Sequence, residues 1–269
     1  VTGRSHVAAW ALLVALVAVY AGWGLFPEAA LFRDTLTPRV LLALSAAVKI
    51  TILLTGALLA FACRDRLEEG NAARPAWALI AVGLFLTLAG QMALAPSQLV
   101  ANATPFPSPA DVFFVLAYPF FIAACLVFLR AYQESGLPVG SAGERAAIVV
   151  GVGTVAGLVA LRLLQPVAAS GGELLDRILN VAYPVLDLVL LLPLALLLRV
   201  ALRLRGSHAG TVWGLVLAGF VCLCVGDIFF AYFTALGLEH FDPWLHAAFL
   251  LAYALLALGA ERQLRLLRS

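Results

Sequence analysis

Eight apolar runs of about 20 residues follow one another along the chain, each as long as a helix needs to be to cross a hydrocarbon core about 30 Å thick. Their approximate bounds are 7–26, 40–63, 76–95, 110–130, 146–164, 178–199, 212–236 and 244–261. Lipid leaves every backbone N–H and C=O to be satisfied within the protein, so runs of this length are helices and the fold class is all-α and polytopic. The composition agrees: 64% of the 269 residues are hydrophobic and 12% charged, too few polar groups to clothe a water-soluble surface. Nothing of domain size lies outside the runs. The first is too long for a signal peptide, and no small-residue cleavage site follows "VYAGWGLFPEAALF", so it reads as the first helix.

The few polar features outside the runs exclude several classes. Cys63, Cys125, Cys222 and Cys224 all fall within spans, and the last two point to different helix faces, which argues against a disulfide framework or a metal site. No cofactor is expected. "NAT" at Asn102 matches a glycosylation sequon, a tripeptide common by chance. The net charge of +2 calls for no nucleic-acid partner, because the arginines at helix ends are accounted for by topology and anionic headgroups.

Sorting Lys and Arg by alternate connections puts 12 on one side and 4 on the other, with Lys49 left inside a helix. The positive-inside bias then places both termini in the cytoplasm and predicts a multi-pass protein of the inner (cytoplasmic) membrane. The connections between helices 3 and 4 and between helices 7 and 8, which carry no Lys or Arg, face outward.

Shifting the chain by about 135 residues lays helices 1–4 on helices 5–8. "ADVFFVLAYPFFIAACL" falls on "LHAAFLLAYALLALGAE", matching Phe114 with Phe249, Tyr118 with Tyr253 and Asp111 with His246. "GLFLTLAGQMAL" falls on "GFVCLCVGDIFF" with one residue of slippage, matching Gln91 with Asp227. The expectation is two parallel four-helix repeats, 1–135 and 136–269, forming one membrane unit. Such repeats usually place a ligand site at their interface.

Ionisable groups inside spans cost a few kcal/mol each, so they face a bundle interior or a wet cavity and pair. Lys49 lies roughly 15 Å below the outer end of its helix, and Asp187 and Asp227 fall at a similar depth. Asn180, Tyr183 and Asp187 share one helix face; so do Asp111, Phe114 and Tyr118, and so do His246, Phe249 and Tyr253. The inner half of the bundle reads as nearly all Leu, Val and Ala. The candidate site is therefore an outward-opening pocket of Lys49, Gln91, Asp111, Tyr118, Tyr183, Asp187, Asp227, His246 and Tyr253, suited to protons or to a cationic or hydroxylated ligand. Lys49 is expected to pair with Asp187 or Asp227, with Asp227 preferred. The bland alternative is a structural ion pair between the repeats, with the tyrosines only satisfying their hydroxyls.

Three segments carry a resemblance: "PSPADVFFVLAYPFF", "NVAYPVLDLVLLLPLALLL", and "LAGFVCLCVGDIFFAYFTALG" followed by "WLHAAFLLAYALLALGAER". Together they resemble the multi-helix membrane region that precedes GGDEF and EAL domains in bacterial cyclic-di-GMP signalling proteins. Asp111 with Tyr118–Pro119, Tyr183–Pro184 with Asp187, and Gly226–Asp227 with Tyr232 match that family's pattern, while His246 stands where the family commonly has an acid. The resemblance implies a sensory input module that takes a small external ligand and relays through the last helix to a cytoplasmic output domain or protein, attached beyond Ser269 or separate.

A fainter likeness, in the lysine of helix 2 and the Gly-Asp of helix 7, is to the lysoplasmalogenase family of membrane hydrolases. It implies Lys49 and Asp227 in an acid–base site. Gln91 in place of a second acid, and carboxylates spread over three helices, favour binding over catalysis. A small-solute transporter ranks third, because no Gly/Pro-interrupted pair of helices falls at corresponding positions of the two halves.

Overall fold

The computed structural model describes residues 3–101, 104–136, 140–159, 161–162, 174–204, 206–238 and 242–268. Asn102, with its sequon, and positions 160, 163 and 164 at the end of the fifth apolar run lie outside them. Eight α-helices lie among the described residues: α1 Gly3–Leu25, α2 Pro38–Arg66, α3 Arg74–Pro96, α4 Ala110–Glu134, α5 Ala142–Val159, α6 Leu174–Arg203, α7 His208–Leu236 and α8 Asp242–Leu266. Seven of them, α2 to α8, are long and apolar enough to span a membrane, and α1 contributes a shorter apolar stretch, Ala11–Leu25.

Helix ends fall where the local chemistry satisfies backbone groups that lipid cannot. Thr37 caps α2 by accepting from the Val40 N–H, with Pro38 in the first turn, where a missing N–H costs nothing. Ser207 caps α7 by accepting from the Gly210 N–H at 3.0 Å, and the same helix ends on Gly237 with φ +65°, a left-handed turn that glycine adopts without strain. Single turns of π-helix, Leu31–Thr35 and Ser97–Ala101, lead into α2 and out of α3.

Six helices close into a ring, in which α2 packs on α3, α3 on α4, α4 on α6, α6 on α7, α7 on α8, and α8 back on α2. Outside the ring, α1 lies against α8 and α5 against α6. Glycines set the closest approaches. A Cβ at Gly90 would stand 2.5 Å from the Phe114 ring, and one at Gly83 would run into Phe121, so α3 and α4 pack with aromatic rings laid over bare backbone.

At the end of the ring opposite α2's N-terminus, the interior departs from the expected filling of Leu, Val and Ala. An aromatic cluster occupies it: Trp213 meets Phe128 edge-on at 4.5 Å between ring centroids, and Trp77 and Tyr132 complete the group. Tryptophans near helix ends are readily taken for interfacial anchors, but both indoles are buried. Edge-to-face pairs of this kind add about 0.5–1.5 kcal/mol each beyond the area they bury.

Candidate functional site

The other end of the ring holds a cavity of about 840 Å³. Its mouth lies among the loop residues Thr104–Ser108 before α4, Gly237–Leu238 after α7, and the first turn of α8. Lys49, Gln91, Asp111, Tyr118, Tyr183, Asp227, His246 and Tyr253 line it. Asp187, the remaining candidate, does not. It is fully buried behind the wall and reaches the site only through Tyr118.

The Tyr118 hydroxyl lies 2.6 Å from Asp187 Oδ1 and 2.7 Å from Asp227 Oδ2. A phenol has one proton to donate, so both contacts are hydrogen bonds only when the two carboxyls share one further proton, carried by one of them and donated back to the phenol oxygen. Asp187 Oδ2 is buried with no partner among the described residues. The two acids, expected to stand apart on separate helices, therefore meet through a single side chain of α4.

Asp111 sits in the first turn of α4. Its Oδ2 reaches back to accept from the Ser108 N–H at 2.6 Å and from the Ser108 hydroxyl at 3.2 Å, as the acid of a capping box does, and its Oδ1 accepts from the Tyr183 hydroxyl at 2.6 Å. Asp111 thus fixes the entry of α4 and ties that helix to α6.

Lys49 corrects an expectation. Among the described residues it makes no ion pair with a carboxylate. Its Nζ is 3.0 Å from His246 Nδ1 and stands 5.4 Å from the centre of the Phe249 ring. Ring order is the reason: α2 packs against α3 and α8, so a side chain at this depth meets α8 and not the acids of α6 and α7. With Lys49 as donor, Nδ1 accepts and the imidazole proton sits on Nε2. The Ser45 hydroxyl also approaches Nδ1, at 2.9 Å.

Sequence reasoning passed over other residues of the wall. Gln98, 2% exposed, lies in the π-turn after α3, where its Nε2 reaches Thr104 Oγ1 at 3.5 Å; its Oε1 and that of Gln91 are buried without a partner among the described residues. Phe106, in the loop before α4, packs edge-on against Phe230 of α7 at the mouth. The proline-rich "PFPSP" just ahead of Asp111 is the signal that this loop folds over the site. Among the described residues no three of His, Cys, Asp and Glu come together as a metal site requires.

No family model, no curated protein and no solved structure matches this chain.

Proposed function

We propose that this chain is the membrane-embedded input module of a signalling protein, which binds a small external ligand in the cavity and relays its presence to a cytoplasmic output. In this reading α1 is an eighth span, both termini are cytoplasmic, and residues 1–135 and 136–269 are two parallel four-helix repeats. The packing supports the repeat. Gly90 lies under Phe114 as Gly226 lies under Phe249, and Gly83 under Phe121 as Gly219 under Leu256, each pair recurring at the shift that the sequence suggests. The ring order α2–α3–α4 then α6–α7–α8 has the same period.

One observation carries the proposal: each cavity bond described above between two helices joins the two halves. Tyr118 of the first half meets Asp187 and Asp227 of the second, Tyr183 of the second meets Asp111 of the first, and Lys49 of the first meets His246 of the second. A ligand competing for any of these bonds changes how the halves fit, and a difference in affinity for two arrangements is enough to shift their populations. The resemblance to membrane regions preceding GGDEF and EAL domains supports the same reading.

A second reading, a lysoplasmalogenase-like hydrolase, gains from the acid pair at Tyr118, since two carboxyls sharing a proton are a familiar acid–base device. A reporter fused after Ser269 and a lysoplasmalogen turnover assay separate the two. The input module is expected to show no turnover and a reporter output that changes in Tyr118→Phe and in Asp227→Asn. Turnover that collapses in Asp227→Asn would instead establish the hydrolase.

A further inference from the structure

Deep in the cavity the charged groups are divided between neighbouring arcs of the ring. Lys49, with the neutral His246 beside it, belongs to the adjacent helices α2 and α8, whereas Asp111 and Asp227 belong to α4 and α7 in the arc α4–α6–α7; a third acid, Asp242, lies in the first turn of α8 at the mouth. Phe249 lies beside both groups: the Lys49 ammonium stands 5.4 Å from the centre of its ring, and the ring edge packs on Gly226, the residue before Asp227. Opposite charges inside a membrane protein normally pair, because each alone is costly to bury. Here the chain holds both and does not join them.

The remaining donors and acceptors are similarly divided. Lys49 has three N–H groups and one described hydrogen-bond partner, His246 Nδ1. On the acidic side, Asp227 Oδ1 makes no hydrogen bond among the described residues. One end of the cavity offers an ammonium in want of an anion, and the other offers an acceptor in want of an N–H donor. The cavity lining also carries apolar side chains, among them Phe114, Phe230 and Leu94.

We infer that the ligand is a zwitterion, an α-amino acid with an apolar side chain, whose carboxylate meets Lys49 and whose ammonium meets Asp227 while its side chain packs on the phenylalanines. A ligand of one charge neutralises one arc and leaves the other unpaired. A zwitterion neutralises both. The assignment rests on the cavity being the ligand site of the input-module reading, and it names what binds there.

The test uses the purified full chain in phosphatidylglycerol nanodiscs, with binding followed by calorimetry. Leucine and phenylalanine are compared with their amides, which keep only the positive charge, and their N-acetyl derivatives, which keep only the negative. Both blocked forms are expected to bind about thirtyfold more weakly or worse, the low end of what losing one buried charged hydrogen bond costs. Lys49→Met is expected to reduce the amino acids to the level of their amides while binding the amides as the unaltered chain does, which also shows that the variant is folded. Asp227→Asn is expected to behave likewise towards the N-acetyl forms. Amides that bind as tightly as the amino acids, a difference that survives Lys49→Met, or no binding of either amino acid would each overturn the assignment. Amino acids that bind as described while the Ser269 reporter stays unchanged would leave the ligand standing and defeat the relay.

Discussion

Tyr118 of α4 and Asp227 of α7 meet inside the ring, hydroxyl to carboxylate at 2.7 Å, with Asp187 on the same hydroxyl at 2.6 Å. Tyr118→Phe removes both contacts and leaves Asp187 fully buried without the hydroxyl that satisfies its Oδ1, beside an Oδ2 that has no partner among the described residues. The expected cost is about 2–3 kcal/mol, the penalty for orphaning a buried polar group. Thermal unfolding in detergent measures it. Tyr183→Phe is expected to cost less, about 1 kcal/mol, because Asp111 keeps its two bonds to Ser108 and lines the cavity. Equal losses in the two variants would contradict this ranking.

The glycine contacts predict a graded series. Gly90→Ala places a methyl 2.5 Å from the Phe114 ring and is expected to cost about 1–3 kcal/mol, as overpacking does. Its counterpart Gly226→Ala meets Phe249 at 3.1 Å and is expected to cost under about 1 kcal/mol. Gly151→Ala on α5 meets nothing within 4 Å and is expected to cost nothing and to stabilise by up to about 1 kcal/mol, since alanine is the better helix former. Shortening the ring in Gly90→Ala/Phe114→Leu is expected to recover much of the first loss, and a strictly additive double variant would show that the ring is not the obstacle.

Helix α5 is held to the bundle at its N-terminal end by Glu144, whose carboxylate pairs with Arg199 of α6 at 2.7 Å. Glu144 is half exposed, so Glu144→Gln is expected to leave global stability nearly unchanged. Local opening is a separate quantity. Hydrogen exchange is expected to quicken across α5 and to stay unchanged in α3 and α4; uniform quickening would mean that α5 is part of the cooperative core.

Topology is open to cysteine labelling, because Cys63, Cys125 and Cys224 are buried and Cys222 is half-buried. Thr104→Cys, at the cavity mouth, is expected to react with an impermeant maleimide on intact cells. Glu68→Cys, in the exposed connection between α2 and α3, is expected to react only after permeabilisation. The reverse pattern would invert the arrangement read from the arginines.

Much of this was legible from hydropathy and helical spacing, and the particulars show why. The second and third runs, read as 40–63 and 76–95, appear as Pro38–Arg66 and Arg74–Pro96, because membrane thickness sets a length that sequence displays directly. Tyr183 and Asp187, four apart and so assigned to one face, both bond to α4, at Asp111 and Tyr118. Depth and face are local properties of a helix, but the identity of its neighbour is not. That is why Lys49, level by depth with both Asp187 and Asp227, pairs with neither: the closing of the ring sets it beside His246. Trp77 and Trp213 were passed over for the same reason: neither has its aromatic company nearby in sequence, and only the packing of α3, α4 and α7 brings Phe128 and Tyr132 to them.

Lys49 and His246 are 197 residues apart. A ribosome adding about 5–20 residues per second needs roughly ten to forty seconds to cover that distance. Through that interval α2 is in or near the bilayer with its ammonium facing no imidazole, and the ring has no closing helix. Closing of the ring therefore waits on the same contact that completes the cavity. Until α8 arrives the lysine stands on the edge of an open arc, and the insertion of one helix both covers the ammonium and closes the cavity.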